Sequence, residues 1–179
     1  MSFSFAENQA FYVPVPANRE EALAIVKKLK PVIENEKTLK IGQNIKYDML
    51  VLGNYGIEVR GPMFDTMIAH YVLQPELHHG MDYLAEVYLK YETIKIEELI
   101  GPKGKNQKNM RDLSPTSVYK YACEDADVTL KLKKVLEKEL IENNVNELFQ
   151  TIEMPLVPVL AYMERNGVRI DTEALKETS

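Results

Sequence analysis

A chain of 179 residues has room for one well-packed domain of ordinary size. Its content of 45% hydrophobic and 27% charged residues excludes a disordered or fibrous protein, and no run of residues approaches the ~20 apolar positions of a membrane span. The net charge of −5 excludes a uniform attraction for nucleic acid, so binding of DNA needs a local positive potential. The single cysteine, Cys123, excludes an internal disulfide and suits a reducing cytoplasm.

The N-terminal half of the chain alternates short strands with helices. Alternating aromatic and β-branched residues on both sides of the turn Glu7-Asn8-Gln9 predict a β-hairpin over residues 2–15. Apolar residues at helical spacing then predict an amphipathic helix over residues 19–36. The next predicted elements are a strand over 38–43, a helix over 44–55, a strand over 59–64, and a helix to about residue 73 that Asp65 can cap.

The C-terminal half is predicted to be helical. Residues 81–91 form a helix, and a polar loop over 101–112 separates it from a long helix that begins at Ser114-Pro115 and reaches about residue 143. A last helix over about 147–166 is interrupted near Pro155 and Pro158 and ends at Gly167. Strands in the N-terminal half and helices in the C-terminal half predict an α/β domain with one mixed sheet.

The long helix carries a carboxylate on its apolar face. At about 100° per residue, Val118 and Leu136 lie on one stripe, and Asp125 falls within that stripe while Glu124 points away from it. Tyr121 stands one turn before Asp125 on the same face. A carboxylate that faces a core costs several kcal/mol unless it is paired, hydrogen-bonded or bound to a metal ion.

The helix over 44–55 repeats this pattern. Asp48 lies at the margin of the buried side that Ile45 and Leu52 define, and Asn44 precedes it by one turn. A buried salt bridge or a boundary position explains each acid alone. Two such acids together favour a shared divalent cation, because Mg²⁺ and Mn²⁺ prefer carboxylate oxygens. We therefore predict that Asp48 and Asp125 face each other across one cleft, within about 12 Å, close enough to share a site for divalent cations.

Two segments resemble motifs of one nuclease family. Ile41-Gly-Gln-Asn-Ile-Lys-Tyr-Asp48 resembles the second exonuclease motif of family A DNA polymerases, and Tyr121-Ala-Cys-Glu-Asp125-Ala-Asp-Val-Thr-Leu resembles their third motif in its tyrosine-containing form. Phe64-Asp-Thr-Met and Gly104-Lys-Asn-Gln are similar to the same proteins in the same order. The tail, Ile152-Glu-Met-Pro-Leu-Val-Pro-Val-Leu followed by Glu164-Arg-Asn-Gly-Val-Arg-Ile-Asp171, resembles the beginning of the polymerase thumb in the bacterial DNA polymerase I family. Exoribonucleases such as ribonuclease D continue differently.

The resemblance implies a ribonuclease H-like 3′→5′ exonuclease fold and a two-metal mechanism that uses Mg²⁺ or Mn²⁺. In that family four acids hold two divalent cations, which activate water and stabilise the leaving 3′ oxygen. By motif match, Asp48 and Asp125 are catalytic metal ligands, and Tyr121 is the catalytic residue that orients the attacking water. A tyrosine with its ordinary pKa near ~10 is a suitable hydrogen-bonding group for this role but a poor general base.

Residues that border the second motif are the predicted DNA contacts. Gln43, Asn44 and Tyr47 stand where the family grips the single-stranded 3′ end of DNA, and helix capping is the alternative for Gln43 and Asn44. His78 and His79 are predicted to be loop residues. A loop free of acids carries basic side chains that are either solvated or attract phosphate: Lys103, Lys105, Lys108 and Arg111.

One part of the family's pattern has no counterpart in this sequence. The first motif of the family, Asp-x-Glu, lies on the central strand and precedes a strand that residues 1–6 resemble here. We therefore expect the chain to lack that central strand and half of the metal-binding carboxylates. The chain itself is predicted to be inactive or nearly so, because Mg²⁺ binds poorly to sites with few charged oxygen ligands.

Residues 1–146 are assigned to the exonuclease domain and residues 147–179 to the beginning of the polymerase domain. The tail is expected to pack weakly on the rest, and its apolar face of Leu156, Val159, Leu160 and Met163 to associate with a partner such as a second copy of the chain. The expected partners are a single-stranded DNA 3′ end and the polymerase domain of the same parent chain, in replication and repair, with no membrane. Two other functions remain open: a non-catalytic scaffold that supports the polymerase, and a ribonuclease D-like exoribonuclease.

Overall fold

The computed structural model describes residues 1–178 and contains two pairs of strands. Strands β1 (Ser2–Ala6) and β2 (Gln9–Tyr12) form the predicted antiparallel hairpin. Strands β3 (Lys40–Gly42) and β4 (Met63–Asp65) pair in parallel, with Gly42 opposite Asp65. The α/β class is confirmed, but the strands form two separate two-stranded sheets instead of the predicted single mixed sheet. The hairpin and β3 pack separately against the long helix, and no ladder links β1 to β3.

Helices make up most of the remaining chain. They are α1 (Arg19–Ile33), α2 (Ile45–Gly53), α3 (Thr66–Leu73), α4 (Met81–Leu84), α5 (Ile96–Ile100), α6 (Pro115–Glu142), α7 (Asn146–Leu148), α8 (Met154–Asn166) and α9 (Thr172–Thr178). A π-helical turn over Ala85–Leu89 continues α4, a second one over Phe149–Glu153 joins α7 to α8, and a 3₁₀ turn spans Met110–Asp112. The second π turn lies directly before Pro155, whose ring cannot donate the next helical hydrogen bond, so the predicted interruption takes this form.

Helix α6 is the centre of the main hydrophobic core. Its buried residues Val128, Leu132, Leu136 and Leu140 pack with Phe64 of β4 and Phe149, whose ring centroids lie 4.9 Å apart. A smaller cluster lies beneath α1 and consists of Val26, Ile33, Leu52 and Ile57. Within residues 1–178, no helix is both long enough and apolar enough to cross a membrane.

The tail corrects one sequence-based expectation. Phe149 is wholly buried, and Met154, Val157 and Ala161 are also buried, so the inner face of residues 149–161 belongs to the core. The prediction that the tail packs weakly is therefore wrong for this stretch, because these apolar residues recur at helical spacing and face α2 and β4. The outer face of α8, which carries Leu156, Val159, Leu160 and Met163, is exposed.

Candidate functional site

The carboxyl ends of the two parallel strands build one side of the site. Because β3 and β4 run in the same direction, the residues that follow Gly42 and Asp65 meet at one edge. A side chain at position 42 would approach Cβ of Ile45 to 2.9 Å, so glycine permits the tight passage from β3 into α2. Asn44 takes a left-handed conformation, with φ of 62°, in this passage. Residues 41–48, which form the predicted second motif, therefore lie beside Asp65.

Asp65 is buried and holds the N-termini of two helices. Its carboxylate accepts hydrogen bonds from the backbone N–H groups of Met67 at 2.8 Å and Ile68 at 3.2 Å in α3. It also accepts from the backbone N–H groups of Ile45 at 2.6 Å and Asn44 at 3.2 Å at the start of α2. The predicted cap of α3 is confirmed, and the same side chain caps α2 as well. Burial raises the pKa of Asp65, and the four N–H donors oppose that shift.

Asp48 lies in the first turn of α2, close to this buried carboxylate. Although Asp48 is an exposed residue, desolvation by the surrounding protein and the negative charge of Asp65 raise its pKa to about 6. Asp48 is thus a carboxyl group whose ionised form is disfavoured until a positive charge compensates it. A bound cation provides such compensation.

Asp125 and Tyr121 form the second part of the site, on α6. Tyr121 stands one turn before Asp125 on the same helix, and its hydroxyl lies near enough to the carboxylate to oppose the rise in the pKa of Asp125. Atom Oδ1 of Asp125 is buried and has no hydrogen-bond partner among residues 1–178. Desolvation, together with the charges of Glu124 and Asp82, raises the pKa of Asp125 to about 7. Desolvation and the charge of Asp125 raise the pKa of Tyr121 to about 12, so its hydroxyl stays protonated at neutral pH.

Two acids beside Asp125 hold the connection between α4 and α5. Glu124 accepts hydrogen bonds from the hydroxyl of Tyr91 at 2.6 Å and from the backbone N–H of Ile94 at 2.7 Å. Asp82 accepts from the hydroxyl of Thr93 at 2.8 Å, and its other oxygen lies 3.5 Å from Nζ of Lys95. The segment 91–95 is therefore fixed between two carboxylates that flank the Asp125 side chain.

Sequence reasoning did not find the role of these two acids. Glu124 was expected to point away from the apolar stripe, and its place next to Asp125 in the third-motif segment was the available signal. Asp82 had no local signal, because its partners Thr93 and Lys95 follow it by more than ten residues.

The predicted DNA-contacting residues differ in how much of each side chain is available. Gln43 donates through Nε2 to the backbone oxygen of His79 at 2.8 Å and accepts through Oε1 from the hydroxyl of Thr66. Asn44 occupies the position before α2, but its side chain makes no capping hydrogen bond. Helix capping, the alternative explanation for Gln43 and Asn44, is therefore wrong, because Asn44 makes no capping bond and the Gln43 amide bonds to Thr66 and His79 instead. Tyr47 is 64% exposed.

The structure brings the predicted site residues together in two groups. Tyr121 meets Asp125, whereas the charged neighbour of Asp48 is Asp65. Within residues 1–178, no group of three or more His, Cys, Asp or Glu side chains lies close enough together to hold a metal ion. The buried, unpartnered oxygen of Asp125 fits a cation ligand, but the described residues do not complete a ligand set around it. A shared cleft for Asp48 and Asp125 stays a prediction.

Two comparisons with solved structures define the class of fold. The chain is similar to the POL domain of Pol1 from M. smegmatis in complex with DNA primer-template and dNTP, with a TM-score of 0.66 and 22% identity over 89% of this chain and 24% of that chain. It is also similar to Brucella melitensis NrnC, with a TM-score of 0.65 and 19% identity over 78% of this chain and 64% of that chain. Both likenesses show the same α/β fold, which is consistent with the ribonuclease H-like fold that the sequence motifs predict.

The sequence comparisons then identify the family. Residues 1–141 match the sequence profile of the family described as 3′-5′ exonuclease, and the chain belongs to that family. DNA polymerase I of Pseudomonas aeruginosa is 41% identical over 98% of this chain and 20% of its own length. DNA polymerase I of Borreliella burgdorferi is 37% identical over 98% of this chain and 19% of its own length. The chain thus spans about a fifth of the curated relatives that it matches.

Proposed function

We propose that this chain is the part of a larger DNA polymerase that removes nucleotides from the 3′ end of a DNA strand. Family membership supports the reaction, and the similarity to two bacterial DNA polymerases I supports the setting in replication and repair. The observation that carries the assignment of the site is the buried, unpartnered Oδ1 of Asp125 beside the Tyr121 hydroxyl. These two residues lie in the segment that resembles the third motif.

The reaction is hydrolysis of the terminal phosphodiester. Water attacks phosphorus, the bond from phosphorus to the 3′ oxygen of the penultimate nucleotide breaks, and a 5′-mononucleotide leaves. The shortened strand keeps a free 3′ hydroxyl, on which a polymerase can resume synthesis. Such removal is proofreading, and its partners are the single-stranded DNA end and the polymerase domain of the same parent chain.

Tyr121 orients the attacking water and does not deprotonate it. With a pKa of about 12, the phenol keeps its proton, which it can direct towards Asp125 while its oxygen lone pair accepts a hydrogen bond from water. Asp48 and Asp125 would hold the two divalent cations, Mg²⁺ or Mn²⁺, which when bound polarise water and stabilise negative charge on the leaving oxygen. Asn44 and Tyr47 present exposed side chains to the DNA end, and the Tyr47 ring offers a face for stacking on a base.

The experiment measures 5′-mononucleotides released from end-labelled single-stranded DNA with Mg²⁺ or Mn²⁺. It compares the chain itself with a version preceded by a strand that carries the family's Asp-x-Glu motif. We expect the chain itself to be at or near background, because losing one strong electrostatic contributor commonly costs about 10²–10³ in rate. We expect the extended version to be active, and Asp125→Ala and Asp48→Ala to abolish that activity.

Other results would assign other functions. An extended protein that stays inactive, although folded, would contradict the proposal and favour a scaffold that supports the polymerase. Release of nucleotides from an RNA strand in preference to DNA would favour a ribonuclease D-like exoribonuclease. Strong activity of the chain itself that Asp125→Ala abolishes would mean that other residues supply the missing acids.

A further inference from the structure

Two of the three histidines of the chain contact each other beside Gln43, one of the predicted DNA-binding residues. His70, on α3, is 1% exposed, and its Nδ1 atom lies 2.7 Å from Nδ1 of His79 in the connection between α3 and α4. The rings meet edge to face, with centroids 4.9 Å apart and an interplanar angle of 63°. At this distance one Nδ1 must donate a proton and the other must accept it.

The surroundings of this pair contain neutral aromatic groups. The titratable side chains that pack against it are Tyr83 and Tyr88 on His70, Tyr71 on His79, and, next to Tyr83, His78. Among residues 1–178, no carboxylate forms a hydrogen bond or an ion pair with either imidazole. Desolvation, and with it the charge of His79, lowers the pKa of His70 below its ordinary value of 6.5.

His79 also determines the position of a predicted DNA contact. Its backbone oxygen accepts a hydrogen bond of 2.8 Å from Nε2 of Gln43, whose Oε1 accepts from the hydroxyl of Thr66. These two bonds fix the orientation of the Gln43 amide. They leave one N–H and one oxygen lone pair of that amide free for a ligand.

We infer that His70 and His79 are positioning residues whose mutual hydrogen bond holds Gln43 in the orientation that binds the 3′-terminal nucleotide of a DNA strand, and that this positioning is lost in acid. The inference rests on the proposed function. A neutral pair and a singly protonated pair both retain an N–H···N bond. A doubly protonated pair places two N–H groups and two positive charges face to face, so the bond breaks and the connection that carries His79 is released.

The direction of the pH dependence follows from the lowered pKa of His70. The stabilising contribution of neutral His70 is present above pH 6.5, the ordinary pKa of histidine. It is lost as the pH falls through the lower pKa that His70 has in the folded state. Most DNA-binding proteins bind more tightly in acid, because protonation adds positive charge. The inferred loss of DNA affinity in acid is therefore opposite to the usual effect of protonation.

The first test follows the side-chain amide of Gln43 by NMR and needs no DNA. His79→Asn places an amide that does not ionise near the position of Nδ1, and His78→Asn serves as the matched control in the same connection. In the wild type and in His78→Asn, we expect the Gln43 amide signals to be well dispersed at neutral pH and to move towards random-coil values in acid. In His79→Asn we expect them to stay in place. Gln43 signals that do not respond to pH in the wild type, or that respond equally in His79→Asn, would overturn the inference.

The second test measures binding of a fluorescent oligo(dT) strand at neutral and acid pH and constant ionic strength. The wild type and His78→Asn should lose roughly fivefold in affinity in acid, the size of one hydrogen bond, while His79→Asn should not. Equal pH profiles for wild type and His79→Asn would again overturn the inference. A failure of all three proteins to bind DNA at neutral pH would instead contradict the proposed DNA-binding surface, and the Gln43 signals would then decide the histidine pair.

Discussion

The carboxylate of Asp65 accepts four backbone hydrogen bonds from two helices that begin more than twenty residues apart in the sequence. Asn18 makes a comparable but smaller contribution at the start of α1, where its side chain accepts from the N–H groups of Glu20 and Glu21. The two residues therefore differ in the number of helices that each one caps. This difference gives a direct comparison of a double cap with a single cap.

We expect Asp65→Ala to destabilise the fold by about 3–5 kcal/mol, because four buried or partly buried N–H groups lose their acceptor and two helix N-termini lose a negative charge. Asn18→Ala should cost about 1 kcal/mol, as for an ordinary exposed cap. Urea unfolding of the two variants measures both values. A cost of Asp65→Ala no larger than that of Asn18→Ala would show that the bonds to α2 contribute nothing.

Ionised Asp125 lowers the stability of the folded chain, whereas Asp65 raises it. Its pKa rises from the ordinary value of 3.8 to about 7 in the folded chain, so the folded state holds the proton more tightly than the unfolded state. The destabilising effect is absent below pH 3.8, grows as the pH rises, and is complete above pH 7. The ionised carboxylate of Asp125 thus destabilises the folded chain unless a positive charge compensates it.

The variant Asp125→Asn should therefore raise the free energy of unfolding by about 1–3 kcal/mol at pH 8 and leave it almost unchanged near pH 4, because partial exposure reduces the full effect of the shift. Asp112→Asn, at an exposed aspartate, is the control and should change stability little at either pH. The measurement is thermal or urea unfolding at the two pH values in the presence of a chelator. A destabilised Asp125→Asn at pH 8 would contradict the assigned pKa shift.

At the scale of elements, ion pairs and hydrogen bonds attach short segments to α6. The hairpin turn is fixed where the N–H of Asn8 donates to Asp127 at 2.6 Å and where Nζ of Lys131 donates to Asn8 Oδ1 at 2.9 Å. The connection 91–95 is fixed by Glu124 on the same helix. Helix α6 thus organises both the strand hairpin and the approach to α5, which itself has only five residues.

Replacing Glu124 with alanine should release the connection 91–95. We expect amide hydrogen exchange of Ile94 to accelerate by about 10–100-fold, since a hydrogen bond to a charged group contributes about 1.5–3 kcal/mol. Glu137→Ala, which removes an ion pair within α6 only, should leave the Ile94 amide protected. Unchanged exchange in Glu124→Ala would mean that packing, and not this carboxylate, holds the connection.

At the scale of the whole molecule, α8 has one buried face and one exposed face. The inner residues complete the main core, while Leu156, Val159, Leu160 and Met163 remain between 41% and 56% exposed. Apolar residues at helical spacing on an exposed face are typical of an interaction surface. The sequence-based prediction of self-association concerns this face.

We predict that the chain self-associates at high concentration and that Val159→Lys weakens this association. Val32→Lys is the matched control, since Val32 on α1 is 55% exposed and Val159 is 51% exposed. Light scattering coupled to size-exclusion chromatography, over a series of concentrations, gives the mass of the species in solution. A monomer at every concentration, or equal effects of the two substitutions, would contradict the prediction.

The sequence by itself determined the features that depend on neighbouring residues. Helical spacing of apolar residues predicted the longer helices but not the short α5 and α9. The position of Asp65 after a strand predicted the cap of α3, and the one-turn spacing of Tyr121 and Asp125 placed them on one face of α6. Motif order along the chain was sufficient for the family. The helices, the cap and the shared face depend on side chains within a few residues of one another, where the backbone geometry fixes the distance.

Only the tertiary structure decided the features that join distant parts of the chain. The second pair of bonds to Asp65, the attachment of residues 91–95 to Asp82 and Glu124, and the contact of His70 with His79 all depend on how elements pack around α6. The division of the strands into two sheets is of the same kind. No local pattern specifies such distances, because packing of the whole core fixes them at once.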